Sequence, residues 1–170
     1  MFIGRAEHTL DDKGRTSIPA KMLEKSSGQL QFKFNITVGV DGCLAMFPAG
    51  DLEKFLSGFS TSGLGMEDRL YLFRELISNI HPVNVEYQNK NRITIPGKLL
   101  EKAGLSKGAP VLIIAVGRWI ELWNPDRYSE YIKNYKGRGG FDRGGKLFFG
   151  SLLGLDSDEK EHTAPAGDGQ

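Results

Sequence analysis

The 170-residue sequence is poor in the side chains that most catalytic and metal sites need, with one cysteine and three histidines. The single cysteine, Cys43, excludes an intramolecular disulfide, so the fold does not depend on such a cross-link. His8, His81 and His162 are far apart in the sequence, and none belongs to a metal-ligand motif. We therefore predict no metal, no cofactor and no small-molecule substrate, and we expect that the protein is not an enzyme.

Long hydrophobic runs are also missing. No apolar run approaches the roughly 18 residues that a membrane-spanning helix requires. The start of the sequence, residues 1–5, lacks the apolar region of a signal peptide. With 39% apolar and 25% charged residues, the composition is that of an ordinary globular protein. We expect a cytoplasmic protein without membrane contact.

A strong net charge is absent too, although the overall value of +1 conceals an asymmetry. Residues 151–170 carry a net charge of −4, which leaves +5 on residues 1–150. The acidic tail should be disordered, because it is polar and contains proline and glycine. The glycine-rich basic stretch at 133–146 is either a flexible arm that contacts phosphates or a solvated linker.

The most informative feature present is an internal repeat. Residues 15–25 and 92–102 are identical at seven of eleven positions, with a constant offset of 77. Two copies indicate a duplication rather than a solenoid, and they predict a pseudo-two-fold body that presents one surface twice.

Each copy continues with a similar pattern of elements. Apolar segments at 35–39 and 111–117 predict strands, and residues 52–59 and 128–135 have helical spacing of apolar and aromatic side chains. The predicted unit is therefore strand, short helix, strand, strand, helix. A unit of roughly 50 residues buries too little surface to be comfortable alone, so we expect the copies to share one core.

A Lys-x-Arg motif precedes an Ile-Pro helix start in both copies, as Lys13 and Arg15 and then as Lys90 and Arg92. The residue between them is glycine or asparagine, and both types tolerate positive φ in a tight turn. Lysine and arginine neutralise phosphates, and arginine can also pair bidentately with guanine. The motif predicts two DNA-contacting loops, but it is equally compatible with a purely structural basic turn.

Together with the duplication, the segment Met1–Pro19 resembles the N-terminus of MraZ proteins, bacterial transcriptional regulators with two AbrB-like units in one chain. The family's Asp-x-x-x-Arg motif is present here as Asp11 and Arg15. In the second copy Gln88 stands in the aspartate position, four residues before Arg92. The resemblance covers about residues 1–135 and does not extend to the part from about residue 137.

The resemblance implies an α+β, mainly β fold, in which two AbrB-like units exchange hairpins to form one small pseudo-two-fold β-barrel with short helices. The implied organisation is a first unit at 1–60, an inter-repeat helix at 61–82, a second unit at 83–135, and the glycine-rich basic stretch with its acidic tail at 136–170.

The resemblance further implies a nucleoid-associated repressor that binds short direct repeats of double-stranded DNA before its own cell-division and cell-wall operon, as a ring-shaped homo-oligomer. Lys13 and Lys90 would mainly contact phosphates, and Arg15 and Arg92 are the candidates for base or deep-groove contacts. Asp11 and Gln88 would brace the two loops, unless Asp11 forms only a surface ion pair. The alternative function is an antitoxin-type module or scaffold whose main partner is another protein.

The inter-repeat helix, predicted at Met66–Ile80 within this segment, also resembles the family, and its apolar stripe includes Met66, Leu70 and Phe73. Leu72 and Leu76 widen this stripe beyond what one contact needs. The helix therefore either offers a surface for self-association or packs entirely into the intramolecular core.

Overall fold

We describe residues 2–23, 33–60, 63, 65–85 and 90–140 of a computed structural model of the chain. The chain divides into two compact units, Met1–Tyr128 and Ser129–Gln170. The strands are β1 (Phe2–Thr9), β2 (Arg15–Ser17), β3 (Lys33–Val38), β4 (Leu44–Pro48), β5 (His81–Asn84), β6 (Arg92–Thr94), β7 (Pro110–Gly117) and β8 (Ile120–Trp123). The α-helices are α1 (Ala20–Leu23), α2 (Leu52–Ser60), α3 (Met66–Ile77), α4 (Gly97–Ala103) and α5 (Pro125–Gly137).

The strands form two antiparallel sheets that interleave the two repeats. The larger has the order β1-β7-β8-β4-β3-β5, and the smaller is the ribbon β2-β6. Among the described residues, the hairpins β3-β4 and β7-β8 pair within one repeat, and the other ladders join one repeat to the other. The α+β, mainly β class is therefore confirmed. The strand pairings found among the described residues do not close the larger sheet into a complete barrel, because β1 and β5 are its edges.

The register of the ribbon and of the central β4-β8 ladder follows the offset of 77 found in the sequence. In the ribbon, Arg15 lies opposite Thr94 and Ser17 lies opposite Arg92. Adding 77 to Arg15 gives Arg92, and subtracting 77 from Thr94 gives Ser17, so the offset converts the first pair into the second. The central β4-β8 ladder obeys the same rule, with Leu44 opposite Leu122. A pseudo-two-fold relation thus links the two strands of the ribbon and the two central strands of the larger sheet. The two hairpins differ by one position, since Ile36 pairs with Met46 but Ile113 pairs with Leu122 rather than Trp123.

The edge strands, which the predicted repeat unit omitted, depart from this symmetry. Ile113 of β7 pairs with Ala6 of β1, whereas the equivalent Ile36 of β3 pairs with His81 of β5. Ala6 and His81 are 75 residues apart rather than 77. The second repeat consequently has two more residues than the first between its edge strand and its Lys-x-Arg turn.

Both repeats contribute to one buried core. The inward-facing residues of the short helices are Met22 and Leu23 in α1 and Leu99 and Leu100 in α4, and all are buried as the apolar spacing predicts. Other fully buried members are Leu10, Ile18, Phe34, Ile36, Leu44, Met46, Ile93, Ile95 and Ile113. Pro96 is the N-cap of α4, which begins at Gly97.

Helix α3 does not pack entirely into this core. It ends at Ile77, three residues before the predicted end, and none of its residues is buried. Met66 is 78% exposed and Leu70 is 44% exposed. The helix is held to β3 through the Thr37 hydroxyl, which donates to the carbonyl oxygen of Leu76 at 2.8 Å. No helix among the described residues is long and apolar enough to cross a membrane.

The end of α4 depends on a glycine. Gly104 has a φ of 62°, and its carbonyl accepts a hydrogen bond from the Asn124 side-chain amide at 2.6 Å. A Cβ at this position would lie 2.7 Å from the Cζ atom of Arg127. The exposed Arg127 side chain can move aside, but it then loses the hydrogen bond that it donates to the carbonyl oxygen of Lys102 at 2.9 Å.

Gly104→Ala should destabilise the protein by about 1–3 kcal/mol, because it combines a left-handed backbone with this clash. The matched control is Gly97→Ala in the same helix, where an added Cβ meets nothing within 4 Å. The control should be neutral or stabilise by up to about 1 kcal/mol. Urea unfolding of both variants measures the difference, and equal free energies of unfolding would contradict this account of the helix end.

Candidate nucleic-acid interface

The two Lys-x-Arg motifs meet in the β2-β6 ribbon. Thr16 and Ile93, at its centre, are buried, so the side chains on either side of them point to the opposite, outer face. That face carries Arg15 and Arg92, each opposite a small hydroxyl residue of the other strand. Diagonal side chains across an antiparallel pair are roughly 7–8 Å apart. The register therefore brings the two arginines together on one face.

Two further hydrogen bonds connect the turns that precede these strands. The amide of Ile18 donates to the carbonyl oxygen of Asn91, and the amide of Ile95 donates to that of Gly14, both at 3.0 Å. These bonds are related by the same offset of 77. Each turn is thereby fixed to the start of the other repeat's helix, so the turns and the ribbon form one connected structure.

The turns have the positive φ values that the glycine and asparagine predicted. Gly14 has a φ of 73° and Asn91 one of 55°. Gly14 also has little space, because an added Cβ would lie 3.0 Å from a methyl group of Leu100. The second turn differs in having a second left-handed residue, Lys90, with a φ of 57°. Lys13 and Lys90 are both exposed.

Asp11 holds the first turn through both carboxylate oxygens. Its Oδ1 atom accepts hydrogen bonds from the backbone amides of Lys13 and Arg15, each at 2.9 Å. Its Oδ2 atom accepts from Nε of Arg15 at 2.6 Å. Burial acts to raise the pKa of the Asp11 carboxyl, but the hydrogen bonds from Arg15 and Lys13 and the charge of Arg15 outweigh it. The pKa is therefore lowered below 3.8.

The second turn has a different electrostatic setting. Gln88, the predicted counterpart of Asp11, lies outside the described residues. Within the described ranges no carboxylate forms an ion pair with Arg92, which is partly exposed. The two arginines thus share a position by symmetry but not their surroundings.

Sequence reasoning omitted one further pair of cations. Lys21 of α1 and Lys98 of α4 are related by the offset of 77, and both are exposed just beyond the ribbon strands. Both copies have lysine at this position of the repeat, and this shared residue type is the signal that could have added the pair to the candidate interface.

The features of a catalytic site are not found in the described parts of the chain. They contain no group of three potential metal ligands. Cys43 lines a mainly apolar cavity of about 870 Å³ between α3 and the β3-β4 and β7-β8 turns. Burial, with smaller effects of Glu121 and Asp41, raises the pKa of its thiol to about 12. A thiol that stays protonated at neutral pH is a packing residue rather than a nucleophile.

Asp11→Asn should lower the melting temperature at pH 7, because it removes the charge that Arg15 faces. The folded-state pKa of Asp11 is lowered, so its stabilisation is present above pH 3.8 and is lost as the pH falls through the folded value. The difference in melting temperature between the wild type and the variant should therefore persist from pH 7 to about pH 4 and shrink below it.

Asp12→Asn, at the exposed neighbouring residue, removes the same charge and serves as the control. Circular dichroism melts of the three proteins measure the effect. A deficit of Asp11→Asn that stays constant down to pH 3 would show that the carboxylate charge is not what holds the turn.

Known proteins of one family are similar to this chain over most of its length. The family model described as "MraZ protein, putative antitoxin-like" matches residues 1–73 and 80–139. A protein of Roseiflexus castenholzii named transcriptional regulator MraZ is 36% identical over 132 residues, covering 78% of this chain and 87% of the relative. One of the same name from Mycoplasmoides gallisepticum is 34% identical over 131 residues, covering 77% and 87%. The matched region contains both Lys-x-Arg turns and the ribbon between them, and the chain belongs to the MraZ family.

Proposed function

We propose that this protein is a DNA-binding regulator of transcription and that the outer face of the β2-β6 ribbon is its DNA interface. The observation that supports this most directly is the register that gathers Arg15 and Arg92 on one face, with Lys13 and Lys90 exposed in the adjoining turns. The relatives named transcriptional regulator MraZ favour the same function.

The dimensions of the ribbon suit a duplex. The major groove of B-DNA is about 12 Å wide and admits a two-stranded β-ribbon. The two lysines precede the arginines at opposite ends of the ribbon, where they would meet phosphates on the groove walls. In this proposal Asp11 braces the first turn, and Gln88 takes the equivalent place in the second.

The proposed regulation is repression by occupancy of the protein's own cell-division and cell-wall operon. The protein would bind short direct repeats as a ring-shaped homo-oligomer in the nucleoid. Each ribbon can bind weakly in such an assembly, since linked sites raise the effective concentration of the next contact.

Replacing Lys13, Arg15, Lys90 and Arg92 together by alanine should abolish binding to DNA from upstream of this protein's gene. Lys13→Ala or Lys90→Ala alone should weaken binding to all DNA and reduce the slope of log affinity against log salt by about one. Fluorescence anisotropy at several salt concentrations measures both effects.

The control is Arg118→Ala, which removes an exposed arginine from the β7-β8 turn and should leave DNA binding unchanged. If the fourfold variant bound like the wild type, the ribbon would not be the interface. If the wild type bound no DNA even at low salt, the alternative function, an antitoxin-type module, would explain the protein better. The exposed apolar side chains of α3 also favour that alternative.

The exposed stripe on α3 is the surface that we propose for self-association. Leu70→Lys should shift the protein toward smaller species in analytical ultracentrifugation, because burying a charge at an apolar contact is unfavourable. Asp68→Lys places a lysine at an exposed position on the opposite side of the same helix and serves as the control. Equal sedimentation of the two variants would move the contact surface away from Leu70.

A further inference from the structure

The pseudo-two-fold relation makes Arg15 and Arg92 equivalent in the backbone, but the surroundings of their side chains differ. Arg15 is fixed by Asp11, whose Oδ2 atom accepts from its Nε at 2.6 Å. The same carboxylate also holds the backbone amide of Arg15 at 2.9 Å, so one residue orients both the main chain and the side chain. Among the described residues Arg92 has no such carboxylate partner.

A guanidinium held at Nε keeps its terminal Nη1–Nη2 edge for another ligand. That edge presents two parallel N–H donors, which match the O6 and N7 acceptors of guanine. Arginine otherwise loses much side-chain freedom when it is fixed in a groove. Asp11 has already restricted that freedom in the unbound protein, which favours a contact with strict geometry.

Arg92 is suited to a different contact. Its charge is not offset by a neighbouring carboxylate among the described residues, and its turn contains two successive left-handed residues, Lys90 and Asn91, instead of one. A phosphate attracts a mobile cation through its charge and accepts many approach directions. Among the described residues, Arg92 with Lys90 therefore forms the more strongly positive end of the ribbon.

From this asymmetry we infer that the ribbon recognises DNA with a direction: its two ends make different kinds of contact. Arg15 is the specificity-determining residue, with Asp11 as its positioning residue, while Arg92 anchors the ribbon to the phosphate backbone. One ribbon then specifies a guanine at one end only and binds a non-palindromic site in one orientation, despite the two-fold backbone. This inference rests on the proposed DNA interface and revises the equal roles that the sequence predicts for the two arginines.

The test compares conservative variants at the two equivalent positions. Arg→Lys keeps the charge but removes the bidentate edge. The probes are a duplex enriched from a random-sequence library by the wild-type protein and a random duplex of the same length. Arg15→Lys should reduce the ratio of the two affinities roughly 5- to 100-fold. Arg92→Lys should change that ratio by no more than about twofold.

Asp11→Asn separates positioning from simple electrostatics. It removes a negative charge beside the DNA, so a purely electrostatic role for Asp11 predicts tighter binding to both duplexes and an unchanged ratio. The positioning role predicts a lower ratio, with binding to the random duplex unchanged or tighter. All variants are measured well below their melting temperatures, with circular dichroism to confirm that they are folded.

The outcomes distinguish the two levels of the proposal. Failure of the wild type to bind or enrich any duplex overturns the DNA-binding function and this inference together. An enriched site with equal losses of preference for Arg15→Lys and Arg92→Lys, or a palindromic enriched site, overturns only the direction of recognition. A non-palindromic site whose specified guanine loses its preference in Arg15→Lys alone supports it.

Discussion

The structure depends on strand pairing between the repeats. In the part of each repeat that the structure describes, one hairpin pairs its own strands, and the partners of the remaining strands come from the other copy. An unpaired strand leaves amide and carbonyl groups that burial would penalise. Neither repeat can therefore form its part of the core alone, and the candidate interface exists only because the two copies complete each other.

This constraint explains why the proposed DNA-binding residues lie where they do. Thr16 and Ile93 are buried at the middle of the ribbon, which fixes the face on which Arg15 and Arg92 emerge. The exchanged hydrogen bonds at Gly14 and Asn91 then hold the two turns. Packing of apolar residues on one side of a short ribbon thus sets the spacing of charges on the other.

Much of this could be predicted because the duplication constrains the fold twice. The strand at 111–117, the short helices after Pro19 and Pro96, and the positive φ values at Gly14 and Asn91 all follow from local sequence. The edge strands β1 and β5 escaped prediction, because β1 contains glycine and charged residues and is stabilised by its long ladder with β7. The side-chain bonds of Asp11 to Lys13 and Arg15 are local and lie within the Asp-x-x-x-Arg motif, whereas the register shift of β5 is a tertiary feature that no local pattern encodes.

The segment that contains α3 joins the two repeats covalently, and this has a consequence for how the protein exists in the cell. Two separate copies with these exchanged strands would fold only when they met, so their stability would depend on concentration. In one chain the partner is always present, at the cost of closing a loop whose entropy rises only slowly with length. The interleaved body can therefore persist when few molecules are present, as suits a protein proposed to control its own supply.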